Sequence, residues 1–176
     1  ESGRRVPETR RDRSLEALER QVAALGVERF EVGLREAKTG QTMHRAWSRA
    51  DLVQSAAWLK RMNAQGHDVY IRPAGEHGLV LVDDLKPQAL ERMKAAGFAP
   101  AATLETSPGH YQAWVKLADQ PLSDEVRRMA AQGLAEQYGG NPNSADPHRY
   151  GRLAGFTNQK PEHTRDDGRQ PYVLAH

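Results

Sequence analysis

An unusual strand end constrains the fold of this chain most. Residues 78–85 read Gly-Leu-Val-Leu-Val-Asp-Asp-Leu, an aliphatic run typical of a strand buried on both faces, and the run finishes in two carboxylates. Carboxylates on the rigid end of a core strand can hold a divalent cation. Alternatively, Asp84 caps a helix that begins near Leu85. Side chains alternate along a strand, so Asp83 and Asp84 act at one point only if the strand bulges or ends between them.

The composition favours a single intracellular domain. The 176 residues can bury a sizeable core, and the lack of cysteine excludes disulfides and thiolate metal ligands, which fits a reducing cytoplasm. No apolar stretch is long enough to span a bilayer. The net charge of +2 is too small to identify a nucleic-acid partner by itself. Any such partner must be inferred from how the charges are distributed.

Apolar spacing predicts helices alternating with strands that are joined by tight turns. Helices are predicted at about residues 14–25, 48–62, 85–96 and 123–138, and strands at about 30–34, 43–47, 69–71, 78–85, 103–106, 111–117 and 171–175. Ser14 is the predicted cap of the first helix. Five arginines without apolar periodicity predict a flexible basic arm or linker over 1–13, which leaves 14–176 as the folded domain. Because the chain begins at Glu1 instead of Met, we expect a domain from a longer polypeptide.

Three polar clusters carry the chemistry. They are the Asp pair at 83–84, a Ser-Pro-Gly-His turn within 105–114, and residues 146–160, where basic, aromatic and glycine residues interleave. Together they offer carboxylates for metal ions, backbone N–H groups for an anion, and cations for phosphate. This combination suits metal-dependent nucleotidyl transfer. Each cluster also has a structural explanation, since Asp146-Pro147 is a common helix start and residues 107–110 are a plain strand-joining turn.

Four motifs in this order closely resemble the RepB-like primases of mobilisable broad-host-range plasmids. The motifs are Tyr70–Pro73, Gly78–Leu85, Glu105–Trp114 and Arg152–Lys160. The similarity runs from about Leu15 to the C-terminus. Such domains are often fused behind a DNA-nicking relaxase of the MobA type or followed by a small helical domain. The resemblance implies one α/β (α+β) domain with a mainly antiparallel, helix-covered sheet, similar to the catalytic fold of archaeal and eukaryotic primases.

The resemblance also implies an activity. The chain is expected to be a DNA-dependent primase, a nucleotidyltransferase that makes short primers on single-stranded plasmid DNA for replication initiation or conjugative mobilisation. The implied cofactors are two Mg²⁺ or Mn²⁺ ions, and the implied ligands are the single-stranded template and nucleoside triphosphates. A fused or associated relaxase and a replicative helicase are the implied partners. The expected location is the bacterial cytoplasm, without membrane contact.

Site residues follow from the resemblance motif by motif. The implied catalytic residues, which are also the metal ligands, are Asp83, Asp84 and Asp146. The implied nucleotide-binding residues are Ser107, His110, Gln112, Arg152, Asn158 and Lys160. In the wider primase group a histidine follows the serine; here Gln112 occupies that position and His110 is the displaced alternative. If Asp84 is a helix cap instead, Glu105 is the alternative source of a ligand oxygen.

Two other functions compete with the primase interpretation. A non-catalytic single-stranded-DNA-binding module that positions a fused relaxase needs the basic loop but not three carboxylates. A rolling-circle nickase is disfavoured, because no two histidines are spaced as His-x-His. Core packing is the expected role of any one of the aromatic residues Trp47, Tyr150 and Phe156, with stacking of template bases on an exposed ring as the alternative.

Overall fold

The computed structural model describes residues 12–165 and 169–176. Within these residues, the helices are α1 (Arg13–Leu25), α2 (Arg49–Gln54), α3 (Ala56–Ala64), α4 (Pro87–Ala95) and α5 (Asp124–Tyr138). The strands are β1 (Arg29–Glu36), β2 (Thr42–Ser48), β3 (His67–Pro73), β4 (Leu79–Leu85), β5 (Ala102–Ser107), β6 (His110–Lys116), β7 (Gly151–Arg152) and β8 (Leu174–Ala175). Most of the predicted basic arm, residues 1–11, lies outside the described residues. No described helix is long and apolar enough to cross a bilayer.

Among the described residues, the strands form two antiparallel four-stranded sheets. Sheet A has the order β2-β1-β3-β7, and sheet B has the order β4-β6-β5-β8. This confirms the predicted mainly antiparallel, helix-covered fold, with the strands divided between two sheets. Residues 151–175 add the last strand to each sheet, since β7 pairs with β3 and β8 pairs with β5.

Strand β4 is buried on both faces, as its composition predicts. Leu79 and Leu81 belong to a core that α1, α2 and α3 share with sheet A, whereas Val80 and Val82 pack with α4 and α5 on the opposite face. Burying one such side chain contributes about 1.5–3 kcal/mol. A Cβ atom at Gly78 would lie 2.2 Å from the Ala118 carbonyl oxygen, so only glycine fits where β4 begins. The end of β4 is therefore held by two cores.

Two predicted helix starts are wrong. Helix α1 is capped by Asp12 instead of Ser14, because Asp12 Oδ1 accepts hydrogen bonds from the N–H groups of Ser14 and Leu15 at 3.0 and 3.2 Å. Helix α4 begins at Pro87, with Lys86 in the cap position. The cap interpretation of Asp84 is therefore excluded.

The predicted helix over residues 48–62 is two helices that meet at Ser55. Ser48 and Asp51 form a capping box at the start of α2, since each side chain accepts the backbone N–H of the other residue. The backbone leaves helical geometry at Ser55, where ψ is 5°. Sequence periodicity did not predict this break because the apolar spacing continues through it.

Candidate active site

A cavity of about 390 Å³ opens where one end of sheet B meets sheet A. Asp83 and Asp84 line it, and Tyr70 of β3 contributes from sheet A. The six residues predicted to bind the nucleotide also line it: Ser107, His110, Gln112, Arg152, Asn158 and Lys160. The structure therefore brings together eight of the nine predicted site residues, from three separate motifs.

A β-bulge turns both strand-end carboxylates toward this cavity. The register between β4 and β6 shifts between Val82 and Leu85, and Asp84 has a φ of 58°. Aspartate tolerates this left-handed conformation better than most residues. The bulge interrupts the alternation of side chains along the strand. From the sequence, such an interruption was required for Asp83 and Asp84 to act at one point.

The loop after α5 holds the bulge in place. The Asp83 carbonyl accepts a hydrogen bond from the Asn141 N–H at 3.1 Å. A Cβ atom at Gly140 would lie 2.8 Å from the same carbonyl oxygen, so glycine is required for this close approach. The backbone beneath the carboxylates is thus fixed by a second segment of the chain.

Both carboxylates have cationic or polar partners. Asp83 Oδ2 accepts a hydrogen bond from Arg149 Nη2 at 2.9 Å, and Asp83 Oδ1 accepts the Asp84 N–H at 2.8 Å. Asp84 Oδ1 lies 2.8 Å from His110 Nδ1. His110 therefore contacts a carboxylate at the cavity wall, whereas Gln112 contacts Arg152 instead.

Gln112 and Arg152 belong to a buried network that joins the two sheets. Gln112 Oε1 accepts the Arg152 N–H at 2.9 Å, and Arg152 Nη1 donates to Asp68 Oδ1 at 2.8 Å. The Arg152 guanidinium also lies over the Tyr70 ring, 5.0 Å from its centroid. Burial raises the pKa of the Tyr70 hydroxyl, so this ring remains neutral. The Arg152 guanidinium is thus held at the cavity wall by the buried Asp68 carboxylate.

The turn between β5 and β6 forms another part of the wall. Ser107 is buried and pairs with His110 across the turn, where Gly109 has a φ of 76°. Asn158 Nδ2 donates to the Thr106 carbonyl at 2.8 Å, which ties the basic segment to this turn. Lys160 is exposed, and its ammonium group has no partner among the described residues. Asn158 therefore positions the wall, while Lys160 is available to an anion.

Asp146 does not line this cavity. It lines an adjacent cavity of about 350 Å³ that shares Tyr70, Arg149 and Tyr150 with the first. Asp146 Oδ1 accepts the His148 N–H at 2.8 Å and its carbonyl accepts the Arg149 N–H at 3.1 Å, so the residue closes a turn. No helix follows it, which makes the helix-start explanation wrong.

The donor set at the bulge suits a hard cation. Mg²⁺ is commonly held by one or two carboxylates together with substrate phosphates and water, and Asp83 and Asp84 supply two. In the described part of the chain, no three Asp, Glu, His or Cys side chains are arranged to hold a metal ion by themselves. The alternative ligand Glu105 does not line the cavity, and its Oε2 accepts the Tyr111 hydroxyl at 2.6 Å. That hydrogen bond raises the pKa of Tyr111.

One of the three candidate stacking residues lies at the site. Tyr150 lines the cavity, and the Arg72 guanidinium lies over its ring, 4.4 Å from the centroid. Phe156 is buried in the core, which confirms the core-packing expectation for this residue. Trp47 packs edge-on against Trp58 at 5.9 Å beside the same core.

Sequence reasoning missed several residues at or behind the cavity, among them Asp68, Tyr70, Arg149 and His163. Asp68 carried a signal, because a carboxylate beside buried strand residues needs a buried partner. Arg149 lies in the basic segment but had no feature that separated it from its neighbours. His163 lines the cavity, and burial lowers its pKa.

Comparison with known proteins agrees with this geometry. Residues 16–175 match the family described as RepB DNA-primase N-terminal domain. Mobilization protein A of Escherichia coli is 57% identical over 165 residues, which are 93% of this chain and 23% of that protein. A DNA primase of Acidithiobacillus ferrooxidans is 30% identical over 175 residues, which cover 90% of this chain and 49% of that protein. The chain therefore spans half or less of the length of these relatives.

Two solved structures have the same fold. The catalytic domain of primase RepB′ in complex with initiator DNA matches with a TM-score of 0.87 and 54% identity, covering 94% of this chain and 85% of that one. The archaeo-eukaryotic-type domain of the cyanophage S-2L primase-polymerase matches with a TM-score of 0.63 and 15% identity, covering 92% of this chain and 88% of that one. The second match confirms the predicted fold resemblance.

Proposed function

Because the chain belongs to the RepB DNA-primase N-terminal domain family, we propose that it is the catalytic domain of a DNA-dependent primase. One observation carries this proposal: strand-end carboxylates and phosphate-compatible cations meet in a single cavity. Relatives that are named a DNA primase and a mobilization protein support primer synthesis on plasmid DNA during replication or conjugative mobilisation.

The proposed reaction is nucleotidyl transfer. The 3′-hydroxyl oxygen of the primer forms a bond to the α-phosphorus of the incoming triphosphate, and the bond to the bridging oxygen breaks. Pyrophosphate leaves with the bonding electrons, and the hydroxyl proton passes to solvent. Asp83 and Asp84 would hold two Mg²⁺ or Mn²⁺ ions together with the triphosphate, and these ions would neutralise the charge that develops. Asp146 would act from the adjoining cavity as the third carboxylate.

The remaining residues would bind and orient the nucleotide. Lys160 would pair with the triphosphate, since its exposed ammonium group has no partner among the described residues. The backbone N–H groups of the turn at Ser107 would contact the same anion. Arg152 would contribute positive charge from its fixed position, and Gln112 and Asn158 would hold the wall in shape. His110 would position Asp84.

Template DNA and partner proteins belong to the same proposal. The relative solved with initiator DNA supports a single-stranded template, and Tyr150 would stack on one of its bases. Residues 1–13 would link the catalytic domain, residues 14–176, to a fused relaxase, because the relative Mobilization protein A is about four times longer than the matched region. A replicative helicase would extend the opened template.

Primer synthesis on single-stranded circular DNA tests the proposal. Labelled nucleotides with Mg²⁺ or Mn²⁺ should give short products that disappear in Asp83→Ala and weaken strongly in Asp146→Ala. Asp119→Ala is the matched control, because Asp119 is an exposed carboxylate in an i,i+3 pair with Lys116, beyond the opposite end of β6. If the domain alone is inactive, the same variants are compared in the full-length protein. Priming by Asp83→Ala at the wild-type rate would refute the catalytic role of Asp83, and no product from the full-length wild type would refute the primase function.

One observation favours the alternative of a non-catalytic DNA-binding module: Asp146 lies outside the cavity that holds Asp83 and Asp84. Such a module would bind single-stranded DNA equally well with or without these carboxylates, and it would make no product in the full-length protein. Binding measured beside primer synthesis therefore separates the two functions.

A further inference from the structure

Arg149 occupies the place on Asp83 where a metal ion would bind. The Arg149 Nη2 donates to Asp83 Oδ2 at 2.9 Å, while Asp83 Oδ1 accepts the Asp84 N–H at 2.8 Å. Both oxygens of this carboxylate are therefore engaged. A guanidinium and a divalent cation repel each other at such a distance, so the two compete for Asp83.

The Arg149 side chain can also move away from Asp83. Its side chain is 38% exposed, and its Nε is buried without a hydrogen-bond partner among the described residues. The residue lines the candidate active site and three adjoining cavities, so the guanidinium has open space on several sides. Moving it would free Asp83 Oδ2, and the guanidinium N–H groups would then be available to a ligand in the cavity.

We propose that Arg149 is the resting counter-ion of Asp83 and moves to a phosphate group of the incoming nucleoside triphosphate when a divalent cation binds Asp83. This inference rests on the proposed function and deepens it. The exchange keeps the site charge balanced, because the cation replaces the guanidinium while the triphosphate gives the guanidinium a new anion. A guanidinium fork matches phosphate oxygens in a bidentate geometry.

The proposal predicts opposite effects on the two ligands. Arg149→Met should bind Mn²⁺ more tightly without nucleotide, because the competing cation is gone. The same variant should bind deoxyadenosine triphosphate more weakly in the presence of a chelator, because the phosphate loses a partner. Arg149→Lys keeps a charge that can pair with Asp83 but lacks the fork, so it should bind Mn²⁺ like the wild type and the triphosphate more weakly.

Lys160→Met is the matched control for long-range charge. Lys160 lines the same cavity, carries the same charge and does not contact Asp83. Mn²⁺ binding followed by the electron paramagnetic resonance signal of free Mn²⁺, at physiological salt to screen distant charges, should give about fivefold tighter binding to Arg149→Met and less than twofold to Lys160→Met. Titration calorimetry with the triphosphate should show about fivefold weaker binding to Arg149→Met.

Each outcome decides the matter. Equal gains in Mn²⁺ affinity for Arg149→Met and Lys160→Met would mean that only net charge acts, and would overturn the exchange. Unchanged, weaker or absent Mn²⁺ binding by Arg149→Met would overturn it as well. The primase assignment is judged separately by primer synthesis: an inactive Asp83→Ala with unaltered Mn²⁺ affinity in Arg149→Met rejects the exchange alone. Tighter Mn²⁺ binding by Arg149→Met, together with no primer synthesis by the full-length wild type, rejects the primase assignment instead.

Discussion

Two arginine–aspartate pairs of nearly equal length meet the same cavity and differ in burial. Arg152 and Asp68 lie 2.8 Å apart with side chains 6% and 0% exposed, whereas Arg149 and Asp83 lie 2.9 Å apart with side chains 38% and 20% exposed. Separating the first pair would leave two uncompensated charges away from water, which is strongly unfavourable. Separating the second lets water and ligands replace each partner. Burial, and not distance, decides which pair is structural and which can exchange.

A third pair falls between these two. Arg127 and Asp124 lie 2.6 Å apart, with side chains 4% and 60% exposed. Arg127 Nη1 also donates to the Pro147 carbonyl at 3.0 Å, which anchors the turn that carries Arg149. Here one charge is buried and its partner is solvated, so each member is expected to respond differently to substitution.

The largest expected effect breaks the buried pair. Asp68→Ala should reduce the free energy of unfolding by about 3–5 kcal/mol, because it leaves Arg152 buried without a counter-charge. Urea unfolding at neutral pH measures the loss. Asp68→Asn separates charge from hydrogen bonding, since Asn can still accept the Gln159 N–H that Asp68 Oδ1 accepts at 2.7 Å. A loss below about 1 kcal/mol for Asp68→Ala would show that burial does not separate the pairs.

A smaller effect is expected from the half-buried pair. Arg127→Met should lower the free energy of unfolding by about 1–3 kcal/mol, because the partly buried Pro147 carbonyl loses its donor while Asp124 stays hydrated. The neighbouring Arg128→Met is the control, since Arg128 is exposed and should change stability by about 0.5 kcal/mol or less. Equal losses in both variants would contradict the assigned role of Arg127.

The pH dependence of stability tests the effect of the buried Arg127 charge on its neighbour His77. Burial, followed by the Arg127 charge, lowers the pKa of His77 from 6.5 to about 4. As pH falls below 6.5 the unfolded chain binds a proton at His77 and the folded chain does not, so stability is lost between pH 6.5 and 4. The loss should be about 1–2 kcal/mol after allowance for partial exposure. Urea unfolding across this range should show that the free energy of unfolding depends less on pH in His77→Gln than in the wild type. This pH dependence should also decrease in Arg127→Met.

The partly exposed Arg149–Asp83 pair should give the smallest stability effect. Asp83→Ala is expected to change the free energy of unfolding by about 1 kcal/mol or less, because water can solvate the released Arg149. Urea unfolding measures this change beside the primer-synthesis assay, in which the same variant should be inactive. A loss as large as that of Asp68→Ala would place Asp83 among the structural residues and remove the basis for exchange.

The sequence predicted the parts of this site that depend on local pattern. The buried β4 strand, the turn after Ser107 and the need for a break between Asp83 and Asp84 follow from neighbouring residues alone. The Asp68–Arg152 and Asp83–Arg149 pairs could not be predicted in this way, because their members are 84 and 66 residues apart. Such partners are set by the packing of two sheets, which no local spacing encodes.

Helix boundaries and the roles of individual residues also depend on structure that local sequence does not encode. Asp12 and Ser14 are both good caps, and the choice between them depends on backbone geometry at the first turn. Gln112 was assigned to the nucleotide because of its motif, yet its side chain accepts the Arg152 N–H inside the protein. Asp146 was expected beside Asp83, but the turn it closes places it in the adjoining cavity.

Because residues 151–175 complete both sheets, the order of synthesis on the ribosome separates the two halves of the site in time. A nascent chain that has reached residue 150 already contains β1–β6 and both bulge carboxylates, while β7, β8, Arg152 and Lys160 have not been made. At that stage the outer edges of β3 and β5 are unpaired. The growing chain therefore passes through an interval in which it is exposed to strand-mediated aggregation and lacks Arg152 and Lys160, two of the cations proposed to bind phosphate. Chaperone binding during translation is expected to concentrate in this interval.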